Sequence, residues 1–248
     1  MCYHTSQDFE YSDLIDYYRS ARFAKAVEEM SSIRHYHVNG FDHLPSPVFK
    51  SDGEVGVANW GLIPWWTKSM TDALQIRTRT LNCISEEGYE KPSFRDSLNN
   101  GQRCLIPVTG FFEWRWGDKA GKKKYPYYVF LKDQKIFSLA GIYSRWVDKQ
   151  TGEEVISFCV LTSKANPLME KIHNNKKRMP VIIDRQFESD WLSDGLTKED
   201  VLAFCQPYDQ GKMDGYTISK LITSRKEETD QPKVLEKAEY PELLLMDS

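Results

Sequence analysis

The stretch Arg103–Trp116, RCLIPVTGFFEWRW, is rich in β-branched and aromatic side chains and shows no helical spacing of its apolar residues, the signature of strand. In its second half, Gly110–Trp116, alternation puts Phe112, Trp114 and Trp116 on one face and Phe111, Glu113 and Arg115 on the other. Segments of the same kind extend in both directions: Ile33–Val38 and Val55–Ile63 before it, and Tyr125–Leu131, Lys135–Ser144, Val155–Thr162 and Pro180–Ile183 after it. GDKAGKKK, between Trp116 and Tyr125, and DKQTGEE, between Val147 and Val155, read as hairpin loops. Apolar Leu14, Tyr17, Ala21, Ala24 and Val27 recur every three or four residues and predict a helix over Ser12–Met30. Shorter helices are predicted at Asn166–His173, at Gln186–Leu192 and at Thr197–Phe204, with Thr197 as N-cap. Long strand runs without βαβ alternation predict an α+β fold on a mostly antiparallel, barrel-like sheet with a few flanking helices. Residues 1–248 are expected to form a single domain, with an acidic, partly irregular stretch, 206–248, packed on it.

Composition narrows the function classes. The 248 residues are 40% hydrophobic and 28% charged, an ordinary globular balance, and no apolar run reaches the 18 or so residues of a membrane span. The polar start MCYHTSQDFEYSD lacks the apolar core of a signal peptide, so a cytoplasmic location is expected, with nucleoid association if the source is bacterial. Five scattered cysteines, an odd number, do not form a disulfide framework. The net charge of −3 conceals a basic region, 103–135, with eight Lys or Arg against three acids, and an acidic one, 186–248, with seven against fourteen. A polyanion responds to such a local field rather than to the sum.

Four segments carry candidate chemistry. A small residue at position 2 permits removal of Met1, which would leave Cys2 with an α-amine and a thiol on adjacent carbons. With reference pKa values of about 7.7–8.0 and about 8.5, both groups would have reactive fractions near neutrality. Such a pair condenses with an aldehyde to an imine and closes to a thiazolidine, which no internal cysteine can do. Glu113 is either paired with a base such as Arg115 or held in a partly apolar site that raises its pKa for proton transfer. His173, in KIHNNKKRMPVIID, falls where a helix stops before a basic loop, so it reads either as a solvated surface histidine or as an acid–base group. In WGLIPWW, Trp60–Trp66, Pro64, Trp65 and Trp66 should project from a turn, where indoles can stack on or wedge between bases. His35, His37, His43 and His4 offer metal-ligand types without a supporting pair, so no metal is assigned. Neither GxxxxGK[ST] nor GxGxxG occurs, and no cofactor or nucleotide is expected.

Taken together, MCYH, WGLIPWW, LNCISEEGYEKPSFRDSL, RCLIPVTGFFEWRW, LTSKANPLMEKIHNNKKRMPVI and YPELL resemble the SOS response-associated peptidase (SRAP) family across nearly the whole chain. The resemblance implies proteins that process abasic sites and shield damaged single-stranded DNA. It assigns the nucleophile to Cys2, further catalytic roles to Asn82, Glu113 and His173, and a supporting role to Thr162. It places DNA contacts on Pro64, Trp65, Trp66, Arg95, Trp114 and Arg178. The sequence also departs from the family pattern. His4 replaces a phosphate-binding Arg, Cys83 and Ile84 replace the Ala and Arg of NAR, and Thr223 stands where many relatives have Asn. Arg77 and Arg79 are candidate substitutes. The expected activity is capture of an abasic site in single-stranded DNA as a thiazolidine on Cys2 by a monomer, with a weak lyase side reaction and self-catalysed loss of Met1 or crosslink reversal. The rival readings are an N-terminal-nucleophile thiol peptidase and a non-catalytic single-strand-binding module.

Overall fold

The computed structural model describes residues 2–17 and 34–244. The decisive stretch is two strands: β6 (Arg103–Val108) and β7 (Gly110–Trp116) separate at Thr109 and enter different sheets. Gly110 makes the crossing possible, because a Cβ there would stand 2.4 Å from the Tyr128 ring, whose hydroxyl donates to the Thr109 carbonyl at 2.9 Å.

One sheet closes on itself. β6 pairs with β3 (Pro45–Lys50), β3 with β4 (Val55–Trp60), β4 with β10 (Glu154–Lys164), β10 with β9 (Phe137–Val147), and β9 again with β6. Within this five-strand ring only β4–β10 is parallel, and the predicted barrel-like, mainly antiparallel α+β fold is what the chain forms. β11 (Arg178–Pro180) adds to β10, and β12 (Ile182–Ile183) adds to β9. The second sheet is antiparallel and runs β13 (Met213–Thr217), β8 (Lys124–Leu131), β7, β1 (His4–Gln7), β2 (His35–Asn39).

The predicted strand over 55–63 stops at Trp60, where Gly61 takes φ +115° and a Cβ would lie 2.7 Å from the Arg77 carbonyl, a conformation that suits only glycine. The chain then leaves the barrel through Pro64-Trp65-Trp66 and helix α2 (Met70–Arg77) and returns as β5 (Asn82–Ile84) on the same edge of β10 that β4 has just left. This excursion is pinned at its base by the Trp60 indole on the Leu81 carbonyl and by Trp146 on the Thr67 carbonyl, both at 2.8 Å. Helix α3 (Pro92–Asn99) follows.

Of the predicted helix over 12–30, Tyr11–Tyr17 is helical (α1), and Ala21, Ala24 and Val27 lie outside the described residues. The predicted 166–173 helix is α4 (Pro167–Ile172), capped by the Asn166 side chain. The predicted 186–192 helix divides into a 3-10 turn, Arg185–Phe187, and α5 (Glu188–Trp191). Thr197 caps α6 (Lys198–Phe204) through a capping box with Asp200. The C-terminal stretch, 206–248, mixes regular and irregular segments. It supplies β13, three 3-10 turns and the short α7 (Pro241–Leu244), and it buries Ile218, Ile222 and Val234 against Phe112 and Tyr128.

Candidate active site

Cys2 leads directly into β1, which lies between β7 and β2. Its side chain is fully buried, in the same core cluster as Phe111 and Val38, and Sγ donates to the His4 carbonyl at 3.6 Å. Burial, and then the negative charge of Glu113, push the thiol well above its ordinary range. This corrects the thiolate fraction expected of an ordinary cysteine: here the proton has to be taken as the sulfur attacks.

The antiparallel register of β1 on β7, with Thr5 opposite Phe111 and Ser6 opposite Gly110, brings the chain start toward the Glu113 end of β7. Glu113 is 4% exposed. Burial raises its carboxyl to about 7, against the opposing pull of the positive chain terminus, so near neutrality it can both give and take a proton. His173 caps the C-terminal end of α4, and its Nδ1 lies 3.5 Å from Glu113 Oε1. Nδ1–H donates to the Arg178 carbonyl at 2.8 Å, which leaves the lone pair on Nε2. Burial, reinforced by the positive chain terminus, lowers His173 to about 4, so the ring is neutral at pH 7.

Asn174 holds this loop in place. Its side chain accepts from the Trp116 N–H and donates to the Trp116 carbonyl, both at 2.9 Å, clamping the residue after His173 onto the end of β7. Sequence reasoning missed this role, although the residue was visible in KIHNNKK.

Glu113 and His173 line a cleft of about 370 Å³ together with Tyr3, His4, Trp114 and Thr223. Tyr3 also lines a second cleft, of about 430 Å³, with Asn82, Arg79 and Ile84. Both polar atoms of the Asn82 side chain are buried and have no hydrogen-bond partner among the described residues, a cost a folded chain bears where a ligand can complete the bonds. Asn82 is opposite Val160 on β10. Thr162, two residues further along the same strand, is fully buried and donates to the Cys83 carbonyl at 3.4 Å. His4, Thr223 and Ile84, three of the positions that depart from the family pattern, thus all line these clefts.

The expected DNA contacts are distributed unevenly. Trp65 is 63% exposed and Trp66 42%, while Pro64 is buried and so does not project with the indoles. The Trp65 indole N–H donates to Asp96 at 2.7 Å and the Trp66 N–H to the Pro92 carbonyl at 3.4 Å, so α3 braces both rings. Arg95 is exposed and pairs with the same Asp96 at 3.1 Å. Arg178 is committed inward, with two 2.8 Å bonds to Glu86 and one to the Thr162 carbonyl. Trp114 packs edge-on against His4, with ring centroids 4.8 Å apart. Among the described residues no group of three or more His, Cys, Asp or Glu is placed to hold a metal ion, and no helix is long and apolar enough to cross a membrane.

Fold and cleft together define an α+β protein whose candidate nucleophile stands at the start of the chain, within electrostatic reach of a buried carboxylic acid that has a neutral imidazole beside it. Residues 1–225 match the family described as SOS response associated peptidase (SRAP), and the chain belongs to that family. It is 33% identical over 238 residues to the abasic site processing protein YoqW of Bacillus subtilis, covering 95% of this chain and 99% of that one. It is 26% identical over 208 residues to the abasic site processing protein HMCES of Xenopus tropicalis, covering 76% of this chain and 59% of that one. A crystallographically determined Bacteroides thetaiotaomicron protein superposes with a TM-score of 0.84 at 39% identity, covering 96% of this chain and all of the other. A Bordetella bronchiseptica structure, at 22% identity and a TM-score of 0.70, shares the fold.

Proposed function

We propose that this chain, once Met1 is removed, captures abasic sites in single-stranded DNA as a thiazolidine on Cys2. The observation that carries the reading is the convergence of Cys2, Glu113 and His173 at the chain terminus, in a relative of proteins named for abasic site processing. An abasic sugar is mostly a closed hemiacetal. His173 Nε2 takes the C1′ hydroxyl proton and, as the C1′–O4′ bond breaks, a proton is returned to O4′, so that the ring opens to the aldehyde and a free hydroxyl. The α-amine of Cys2 adds to C1′ and forms a carbinolamine. Glu113 then protonates the departing hydroxyl, and water and the imine result. The thiol adds across the C=N bond: sulfur bonds to carbon, nitrogen gains the proton, and Glu113 relays it from a sulfur that burial keeps protonated. Asn82 orients the amine or sugar with its two unengaged polar atoms. Trp65 and Trp66 stack on bases of any sequence, as suits a lesion sensor.

The imine acidifies the C2′ proton, so slow strand cleavage by β-elimination competes with ring closure. Self-catalysed removal of Met1 and crosslink reversal would use the same groups. A DNA partner is compatible with a cytoplasmic location, or with the nucleoid of a bacterium, and the scheme uses no cofactor.

The test is to incubate the mature protein with single-stranded DNA bearing one abasic site and resolve the products by denaturing electrophoresis, with intact mass establishing the loss of Met1. A complex that survives denaturation and disappears with Cys2→Ala is expected. Peptide cleavage without an adduct would favour a thiol peptidase. Binding that withstands electrophoresis under native but not denaturing conditions, unchanged by Cys2→Ala, would favour a binding module.

A further inference from the structure

His4 does not stand alone in the cleft. Its Nδ1 lies 2.8 Å from His37 Nε2, and His37 Nδ1 lies 2.8 Å from the Thr229 hydroxyl. The two rings stack at 5.1 Å between centroids and 21° between planes. His4 lines the cleft that holds Glu113 and His173, whereas Thr229 is half-buried in the C-terminal segment, next to exposed Glu228. Asp230 fixes this segment to β2, accepting from the Tyr36 and His37 N–H groups at 2.6 and 3.1 Å and pairing with His35 Nδ1 at 2.5 Å.

A ring-to-ring contact of 2.8 Å between two imidazoles needs one proton between them. Two neutral arrangements satisfy it. In one, His4 donates to His37, which donates to Thr229, and His4 Nε2 is a base. In the other, the Thr229 hydroxyl donates to His37, which donates to His4, and His4 Nε2 carries the proton. Shifting one proton along each bond, as one proton enters at His4 Nε2 and one leaves the Thr229 hydroxyl, converts the first arrangement into the second with no net charge. Burial, and then the neighbouring His37, hold His4 at about 3, while burial outweighs Asp230, Asp42 and Glu228 to leave His37 at about 4. Both rings are therefore neutral at pH 7 and able to switch.

We infer that His4, His37 and Thr229 form a proton exit from the reaction cleft to solvent, an inference that rests on the thiazolidine chemistry above. That chemistry releases one proton overall: the α-amine of Cys2 begins as an ammonium and ends as a neutral ring nitrogen, while water leaves from the aldehyde oxygen. With the sugar seated in the cleft, the released proton passes to His4 Nε2. The His4 Nδ1 proton moves to His37 Nε2, the His37 Nδ1 proton moves to the Thr229 hydroxyl, and the hydroxyl gives one to solvent. One proton enters the chain and one leaves it. The family's arginine at position 4 could not serve, because guanidinium does not give up its proton in this range. The substitution by His4 thus exchanges a phosphate-binding charge for a neutral conductor.

The experiment measures single-turnover crosslinking at saturating abasic DNA, alongside DNA affinity, for wild type, His37→Phe, Thr229→Val and Thr229→Ser. His37→Phe should slow crosslinking about tenfold with affinity unchanged, and added imidazole should restore the rate by carrying the proton. Thr229→Val should slow it less, and Thr229→Ser, which keeps the hydroxyl, should match wild type. Thr229 is only half-buried, so this pair keeps the test valid if His37→Phe does not fold. Wild-type rates in both Thr229→Val and His37→Phe would overturn the inference. So would a slow rate that imidazole leaves unchanged, or one that tracks a loss of affinity. Failure of the wild type to form any adduct would overturn the underlying chemistry and the exit path with it.

Discussion

Glu113 and Glu188 are both buried glutamates that burial raises to about 7, yet their surroundings differ in kind. Glu188 accepts from the Tyr17 hydroxyl at 3.0 Å, with Ser138 and Arg185 as its other stabilising neighbours, and ties α1 to α5. These neighbours favour the ionised form against the burial that raises it, and give it nothing to react with. Glu113 faces the His173 ring at 3.5 Å and acts on the Cys2 thiol. A raised carboxyl by itself therefore does not mark a site. What marks Glu113 as a candidate is that a thiol and a neutral imidazole share its burial.

The largest test of this contrast is rate. Glu113→Gln should lower single-turnover crosslinking roughly 10²- to 10⁴-fold, while Glu188→Gln should leave it near wild type; equal losses in the two would erase the distinction. Stability should treat them alike. Both carboxyls are raised from 4.5, so folding favours the protonated form, and the stability this gives below about pH 4.5 is lost as pH rises through about 7. Each glutamine variant should accordingly gain up to about 3 kcal/mol over wild type at pH 8 relative to pH 4, read from urea midpoints at the two pH values. A pH-independent difference would show that the carboxyls are not buried as described. The smallest effect compares two exposed aromatic rings. Trp65→Ala should weaken single-stranded DNA binding by about 1–3 kcal/mol without altering the fold, whereas Phe187→Ala, which removes a 46% exposed ring next to α5, should not change affinity in the same titration.

Much of this molecule was legible in its sequence where one residue pattern decides one element. The strands β7 to β10 and the Thr197 cap follow from alternation and from side-chain oxygens that reach a helix start. Other elements escaped for physical reasons. β3 reads PSPVFK, and its prolines are tolerated because over Pro45–Pro47 the strand pairs only with β4, while β6 joins at Phe49 and Lys50. α2 buries only Ala73, and α3 buries Phe94, Ser97 and Leu98, too few apolar positions for a helical period. Of the site, Cys2, Glu113 and His173 were visible as chemistry, but their convergence depends on β1 entering between β7 and β2 and on Asn174 grasping the Trp116 backbone. Nor could sequence show that Cys2 is sealed from solvent, since a thiol's pKa is set by what packs over it.

The pairing of Arg178 with Glu86, and of exposed Arg95 with Asp96, bears on the ionic atmosphere of the DNA. A free arginine that meets a phosphate expels a condensed cation, and each such contact on a single strand steepens the salt dependence of binding by about 0.7 in log–log slope. An arginine already neutralised by its own carboxylate exchanges one anion for another, and the carboxylate it leaves recruits a cation back. Counterion release should consequently be smaller than the number of these arginines suggests, so that the proposed stacking and covalent bond would hold the strand when salt is high.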